Sequence, residues 1–238
     1  MTDDSTKAVS DEDTSGVPAW LVGEGLATDM TGDPATSGPN LRYWMPKGTD
    51  RKIVFLTEGN TAPVIWEHQV KLGFGKRAWQ NWITCTQSLG IKCPVCEWSK
   101  RHDEQFRRYK GVFFTIIDCA EFEDRAGKKR QNERRLLCAK KDVAEILKRK
   151  YLQRLEADQG LKGAMFDVYR TNKDTSANVG EQFDFVKVVD LAAFPEVDEF
   201  NYAEMLQPNL EKAKVAIAQL LGDEDAESSK GESDAVPY

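Results

Sequence analysis

The segment from Phe74 to Trp98 constrains the fold most, because it has too few periodic apolar residues to build a core of its own. Gly75, Gly90 and Pro94 interrupt it, and it contains three of the five cysteines of the chain. Such a segment needs a stabiliser other than apolar burial. Because an odd number of cysteines argues against a disulfide framework, the thiols are expected to be free or to bind a metal.

The spacing of these cysteines predicts a metal site. The sequence CPVC at 93–96 is a C-x-x-C knuckle whose two thiolates can reach one ion. With a third cysteine and a histidine upstream, three thiolates and one imidazole would satisfy one tetrahedral Zn²⁺, and four protein ligands make the site structural rather than catalytic. The predicted ligands are His68, Cys85, Cys93 and Cys96. His102 is the alternative to His68, which is favoured. A thioredoxin-type redox pair would need a βαβ setting that is missing.

The two remaining cysteines, Cys119 and Cys138, lie in apolar, strand-like runs. Free cysteine behaves there as a small apolar residue. Both are therefore expected to be core thiols.

Charge is segregated along the chain, whose total is −6. Residues 1–40 carry a net −7, residues 41–190 a net +9 and residues 191–238 a net −8. A basic middle between acidic ends is typical of a polyanion-binding core whose ends can compete for the same groove. The alternative is that the acidic ends only keep the protein soluble.

Hydrophobic patterning predicts a mainly β fold. A helix is expected over 142–157, with Asp142 as its N-cap, and a second helix over 199–222, interrupted at Pro208 and ended by Gly222. The predicted strands lie within 51–59, 64–70, 109–122 and 136–141, and a hairpin is expected from 163–171 and 182–190. This order fits a five-stranded OB-fold barrel with an inserted zinc-binding subdomain, although an SH3-like barrel would look much the same.

Composition divides the chain into four parts. Residues 1–40 are expected to be a disordered acidic arm with one apolar patch at 20–22, and residues 41–198 the OB-fold core with its insert at about 68–100. Residues 199–222 form the C-terminal helix, and residues 223–238 a disordered acidic tail.

Basic residues alternate with aromatic ones at three places in the core, as in RYW at 42–44. Single-strand binders need cations along the backbone and flat side chains on which bases stack. The predicted DNA contacts are Arg42, Tyr43, Lys76, Arg77, Trp79, Arg107, Arg108, Tyr109, Lys110, Lys128, Lys129 and Arg130. The aromatic residues Trp79, Trp82 and Tyr109 are equally compatible with core positions, and Trp66, Phe113 and Phe114 are expected in the core.

Catalysis finds little support in the sequence. There are two histidines, no P-loop, no G-x-S-x-G and no dinucleotide fingerprint. Asp118, Glu121, Glu123 and Asp124 could serve a two-metal nuclease, but acids at a strand end beside a charged turn are usually solvated. No stretch approaches the roughly 20 apolar residues of a membrane span, and the acidic N-terminus is no secretory signal. A soluble, intracellular protein without enzymatic activity is expected.

Several segments, taken together and in order, carry a resemblance to a known family: RYW with IVFL, His68, Cys85, CPVC, GVFFTIIDCAEFED-x-x-GKK, LLCAKK and GAMFDVYRT…VGEQFDFV. In these segments the chain resembles the phage single-stranded DNA-binding proteins related to the helix-destabilising protein of T-even phages. The resemblance covers about residues 41–190. It implies an OB-fold with an embedded zinc ion and a basic cleft for single strands. It also implies a role in phage replication, recombination and repair, in the cytoplasm of the infected bacterial host.

The chain departs from this family at its N-terminus, where a basic arm for cooperative filament formation is replaced by an acidic one. Its last residues, SDAVPY, resemble the acidic tail with an apolar tip through which such proteins recruit replication and recombination partners. The predicted partner-binding residues are Asp234, Val236, Pro237 and Tyr238. No membrane and no small-molecule substrate is expected. The alternatives are a zinc-containing protein-interaction adaptor and, less favoured, the metal-dependent nuclease.

Overall fold

An antiparallel β-sheet forms the body of the molecule. The computed structural model describes residues 41–72, 79–102, 104–123 and 129–231, without the side chains of residues 72, 79–81, 123 and 222–231. The main sheet has seven strands. They are β1 (Thr49–Phe55), β2 (Val64–Leu72), β3 (Trp79–Thr84), β4 (Tyr109–Asp118), β7 (Glu133–Ala139), β8 (Ala164–Arg170) and β9 (Gln182–Val188).

A two-stranded ribbon and four α-helices complete the described part. The ribbon pairs β5 (Phe122–Glu123) with β6 (Lys129–Arg130). The helices are α1 (Pro94–Arg101), α2 (Lys141–Leu155), α3 (Tyr202–Met205) and α4 (Leu210–Gly231). Short 3₁₀ turns lie at Thr86–Leu89 and Leu191–Ala193.

The sheet runs in the order β3-β2-β4-β1-β8-β9, with β7 on the free side of β4. One edge of β4 pairs with two strands, first with β2 and then with β1. Val112 lies opposite Val64 of β2, and Ile116 lies opposite Phe55 of β1. No strand pairing among the described residues closes the sheet into a barrel. The segment before β1 adds one parallel bridge, between Arg42 and Leu136 of β7.

The main core lies between the sheet and α2. The rings of Phe114 and Phe166 meet Phe55 edge to face, with centroids 5.4 and 5.5 Å away. Val143 and Leu147 are one helical turn apart, and both are buried against this cluster from α2. Strand β1 carries Phe55 in the middle of the sheet, which is why its predicted apolar run is buried on both faces.

The sequence-based expectation of a mainly β fold with a helix between strands is confirmed. Strands β1, β2, β4 and β7, the β8–β9 hairpin and helix α2 all fall where patterning placed them. The turn before β9 contains Gly180 at φ +94°, where a Cβ would also lie 2.2 Å from Val168 Cγ1. The predicted N-cap of α2 is wrong, because Lys140 holds that position and Asp142 lies in the first turn, where its charge complements the helix dipole.

Two further expectations need correction. The C-terminal region is split around Pro208 into α3 and α4 as predicted, but α4 continues to Gly231 and does not end at Gly222. Sequence patterning also missed β3 and α1, both of which lie within the predicted insert. The predicted arm at 1–40 and the tail residues Asp234, Val236, Pro237 and Tyr238 lie outside the described residues.

Candidate metal centre and candidate nucleic-acid interface

One histidine and three cysteines meet in the interior. The ligand atoms of His68, Cys85, Cys93 and Cys96 all lie within 4.8 Å of one another, and all four residues are buried. His68 Nε2 is 3.5 Å from Cys93 Sγ and 3.5 Å from Cys96 Sγ, and Cys85 Sγ is 3.5 Å from Cys96 Sγ. Within the described part of the chain, this is the group of side chains that could hold a metal ion.

Local structure explains why these four residues meet. The β2–β3 pairing places His68 opposite Ile83, two residues before Cys85. Cys93 is the N-cap of α1 and Pro94 its first residue, so Cys96 lies in the first turn of the helix. Because only two residues separate Cys93 from Cys96 at the start of this helix, both thiols can face the end of the β2–β3 hairpin.

The histidine is held by a second contact. His68 Nδ1 lies 2.7 Å from the carbonyl oxygen of Phe106, so it donates there and leaves Nε2 free to face the thiols. Phe106 has a left-handed backbone with φ +59°, unusual for a residue other than glycine. Strained backbone conformations persist where the surrounding structure requires them. At Phe106 the strained conformation occurs at the residue whose carbonyl accepts the hydrogen bond from the His68 imidazole.

The distances suit one tetrahedral ion. Metal–sulfur and metal–nitrogen bonds of about 2.3 and 2.05 Å imply S···S and S···N separations of about 3.8 and 3.6 Å. A hydrogen bond from Cys85 lowers the pKa of the Cys93 thiol and raises that of Cys85, so one thiolate is favoured within the cluster. Because four buried protein ligands leave no open position, the arrangement is compatible with a single structural metal site.

Of the two histidines, the structure places His68 in the cluster and His102 outside it. The His102 ring stacks on Trp98, with centroids 3.8 Å apart and planes 8° from parallel, and is not part of the cluster. Cys119 and Cys138 also lie outside it and are only half-buried, although burial raises the pKa of each thiol to about 11.

A cavity lined by aromatic and basic side chains lies on the opposite face of β2. Its volume is about 260 Å³, and it continues into a second cavity of about 230 Å³ with which it shares Cys138, Lys140, Asn178 and Val179. We call the two together the aromatic groove. The first cavity is lined by Arg42, Tyr43, Trp44, Gln69, Trp82, Tyr109, Cys138, Lys140, Asn178 and Val179. Successive residues of a strand alternate in direction, so Gln69 faces the groove while His68 faces the metal centre.

A buried acid organises the floor of the groove. Glu67 is 1% exposed, and its carboxylate forms an ion pair with Arg42 and accepts a hydrogen bond of 2.5 Å from the Tyr109 hydroxyl. The Arg42 guanidinium lies 5.1 Å from the ring centroids of both Trp82 and Phe113. Buried charges are retained when they are paired in this way.

Lys140 is the exposed cation of this site. Its Nζ lies 3.7 Å from the Tyr109 ring centroid and donates a hydrogen bond of 3.2 Å to Gln69 Oε1. The adjacent indole of Trp44 is 52% exposed, and Trp82 is half-buried. Flat aromatic rings and an exposed lysine side chain therefore lie side by side, and partial burial of the ammonium group lowers the pKa of Lys140.

The structure brings only some of the predicted DNA contacts together. Arg42 and Tyr109 both line the groove, but Tyr43 is 3% exposed and packs in the main core, so its ring is not the stacking platform that the sequence suggested. Trp66, expected in the core, is 38% exposed beneath the Arg108 guanidinium, which lies 4.7 Å from its ring centroid. Phe113 and Phe114 are buried as expected.

The other predicted contacts lie elsewhere. Lys110 is exposed but, by strand alternation, lies on the face opposite Tyr109. Arg107 pairs with Glu104, and Arg108 Nη1 lies 3.9 Å from Cys85 Sγ, beside the metal centre. Lys129 and Arg130 form β6, where they pair with Glu121 and Glu133. Lys76, Arg77 and Lys128 lie outside the described residues, as does the side chain of Trp79.

Sequence reasoning did not include Trp44 or Lys140 among the predicted contacts, and it left Trp82 open between a core position and a stacking surface; all three line the groove. Trp44 belongs to the RYW triplet that drew attention to Arg42, and its exposure could not be read from the pattern. Trp82 comes from β3 and Lys140 from the junction of β7 and α2, and no local motif signals that they meet.

The acids considered for a nuclease are otherwise engaged where they are described. Asp118 is 3% exposed and forms an ion pair of 2.7 Å with Arg51, and Glu121 pairs with Lys129. The side chain of Glu123 and the whole of Asp124 lie outside the described residues.

No helix in the described part of the chain combines the length and apolar character that a membrane span requires. Comparison with known proteins returned no match, either among protein-family models or among curated proteins.

Proposed function

We propose that this protein binds single-stranded DNA without sequence preference and protects and organises it during phage DNA replication, recombination and repair. The observation that carries the proposal is the aromatic groove, in which Trp44, Trp82 and Tyr109 lie beside Lys140. Bases stack on such rings with a contribution of about 1–3 kcal/mol each, and stacking accepts every base. The net charge of +9 over residues 41–190 supplies the attraction for phosphates.

The floor of the groove supports this function. The pairing with Glu67 fixes Arg42 and Tyr109 before a ligand arrives, so less side-chain freedom is lost on binding. The charge of Arg42 is largely balanced by its partner. Lys140 is therefore the groove residue best placed to contact a phosphate.

Zinc is the metal that we assign to the His68 cluster. Three thiolates and one imidazole form a donor set that zinc accepts in closed structural sites. The bound ion would supply folding free energy to the segment holding β3 and α1, which is poor in core residues. It would also hold the β2–β3 hairpin, whose other face carries Glu67 and Gln69 into the groove.

An OB-type core is part of the same proposal. OB-folds bind oligonucleotides on one face of a strongly curved sheet, and their barrels are often partly open. Helix α2, between β7 and β8, and the bridge from Arg42 to β7 support this assignment. The site of action would be the cytoplasm of an infected bacterial host. Replication and recombination proteins would be recruited through the terminal residues Asp234, Val236, Pro237 and Tyr238.

Fluorescence anisotropy of labelled oligonucleotides tests the proposal. The full chain is titrated into single-stranded and duplex DNA of the same sequence at low and at high salt. We expect strong preference for the single strand and a steep loss of affinity with salt. Equal or absent binding of the two forms would reject the proposal and favour the protein-interaction adaptor.

A further inference from the structure

The described chain begins on the wall of the aromatic groove. Leu136 N–H donates to the carbonyl of Leu41 at 2.7 Å, and Met45 N–H donates to the carbonyl of Asn178 at 3.0 Å. These backbone bonds fix the segment between them, from which Arg42 and Trp44 line the cavity. Residues 1–40 are therefore attached directly at the edge of the groove.

We propose that this N-terminal segment, residues 1–40, binds in the aromatic groove of its own chain and competes there with single-stranded DNA. The inference rests on the proposed function, since it assigns regulation of the same site. It commits to one occupant of the groove, and three properties of the segment support the choice.

The first property is charge. Residues 1–40 contain eight acidic residues and one lysine, with the densest cluster at Asp11, Glu12 and Asp13. The groove offers Lys140 as an exposed cation, and Lys71, which is exposed, follows Gln69 on the same face of β2. A polyanion-binding site attracts an acidic peptide by the same long-range field that attracts DNA.

The second property is the apolar patch Trp20-Leu21-Val22, a few residues after that acidic cluster. An indole can stack against Trp44 or Trp82 as a base would, because both present flat apolar rings. Acids followed by an aromatic residue thus imitate the phosphates and bases of a single strand.

The third property is the length of the tether. About 20 residues separate Val22 from Leu41, which extended would span at most about 65–70 Å, ample for a groove that starts at Arg42. Such a tether gives an effective concentration on the order of millimolar. A contact with a dissociation constant of about 100 μM would then weaken DNA binding roughly tenfold.

The acidic C-terminal region is less well placed for this role. Apart from one glutamate in its first turn, the acidic residues of helix α4 begin only at Asp223. The helix packs Ala213 and Ala216 beside the metal centre. Its first turn lies near the floor of the groove, where burial lowers the pKa of Lys212 and the nearby charge of Glu67 opposes that shift. The 22 residues of the helix span about 33 Å.

The test compares two variants of the full chain that change net charge equally. The first neutralises the N-terminal cluster with Asp11→Asn, Glu12→Gln and Asp13→Asn. The second, the matched control, carries Asp223→Asn, Glu224→Gln and Asp225→Asn. Affinity for labelled dT oligonucleotides is measured by anisotropy at low and at high salt. We expect the N-terminal variant to bind about tenfold more tightly than wild type at low salt and less than twofold more tightly at high salt, with the control within twofold throughout.

Equal tightening by both variants would overturn the inference, because it would reflect total charge alone. Unchanged binding by the N-terminal variant would overturn it too, and tightening by the control alone would assign the groove to the C-terminal region. Absence of DNA binding by every protein would instead reject the proposed function. A third variant, Trp20→Ala, leaves charge unchanged and is expected to tighten binding several-fold; an affinity equal to that of wild type would contradict the stacking contact.

Discussion

At the scale of single residues, the exposed rings of the groove are the most direct contributors to binding. Trp44→Ala removes an indole that is 52% exposed, so little core packing is lost. We expect affinity for single-stranded DNA to fall about tenfold, in line with the loss of about 1–3 kcal/mol of stacking. Quantitative anisotropy measures the change.

Trp66→Ala is the control for this substitution. Trp66 is also partly exposed but lies on the metal-centre face of β2 under Arg108. Affinity should stay within twofold of wild type. Equal losses in the two variants would show that the groove is not where bases stack.

Glu67 is a positioning residue whose substitution separates geometry from charge. Glu67→Gln makes the groove more positive, which by electrostatics alone would tighten DNA binding. We expect the opposite, a loss of about fivefold to tenfold, because Arg42 and Tyr109 lose the carboxylate that orients them. Anisotropy at several salt concentrations measures it.

Glu58→Gln is the matched control, since it makes the same substitution at a glutamate that accepts a hydrogen bond within the fold, from Leu161 N–H, and that does not line the groove. A double-mutant cycle that combines Glu67→Gln with Tyr109→Phe adds a test whose result a general loss of stability would not produce. The two groove substitutions should be non-additive, because they break the same hydrogen bond. Tighter binding by Glu67→Gln would contradict the positioning role.

At the scale of elements, the sequence predicts those whose stability comes from apolar periodicity. Strand β4 and helix α2 each carry a regular apolar pattern and were located from it. Strand β3 has only six residues, and helix α1, although Val95, Cys96 and Trp98 lie on one buried face, has only eight, so apolar periodicity is too short in either to identify it. Their residues pack around Cys85, Cys93 and Cys96. The spacing of these cysteines therefore identifies the part of the chain in which apolar periodicity does not predict the secondary structure.

The metal centre should determine the stability of these two elements. We expect Cys93→Ser to lower the melting temperature by roughly 10 °C or more, since a structural zinc ion contributes several kcal/mol to folding. The variant should also lose its stoichiometric zinc. Differential scanning calorimetry and metal analysis are the measurements.

Cys119→Ser serves as the control, because that half-buried thiol lies outside the cluster. It should keep one zinc per chain and melt close to wild type. A Cys93→Ser protein with wild-type stability in the absence of metal would contradict a structural role for the site.

At the scale of the whole molecule, the ligand set was readable from the sequence and the groove was not. The two cysteines of CPVC, at the start of α1, have two residues between them, and the other two candidate ligands lie in the β2–β3 hairpin (His68) and directly after it (Cys85). The groove instead collects Trp44 from the segment before β1, Trp82 from β3 and Lys140 from the end of β7. The pairing of β3 with β2, of β2 with β4 and of β4 with β7 brings them together, and the β2–β4 pairing joins residues distant in sequence.

The salt dependence of Lys140→Gln tests the central claim most directly, that this groove binds single-stranded DNA. Anisotropy titrations over a series of salt concentrations compare it with Lys110→Gln, which removes an exposed lysine from the opposite face. We expect wild type to prefer the single strand, and Lys140→Gln to bind more weakly with a log K against log salt slope reduced by about 0.7, one phosphate contact. Lys110→Gln should change neither. Equal behaviour of the two variants, or no preference of wild type for the single strand, would contradict the assignment of this groove.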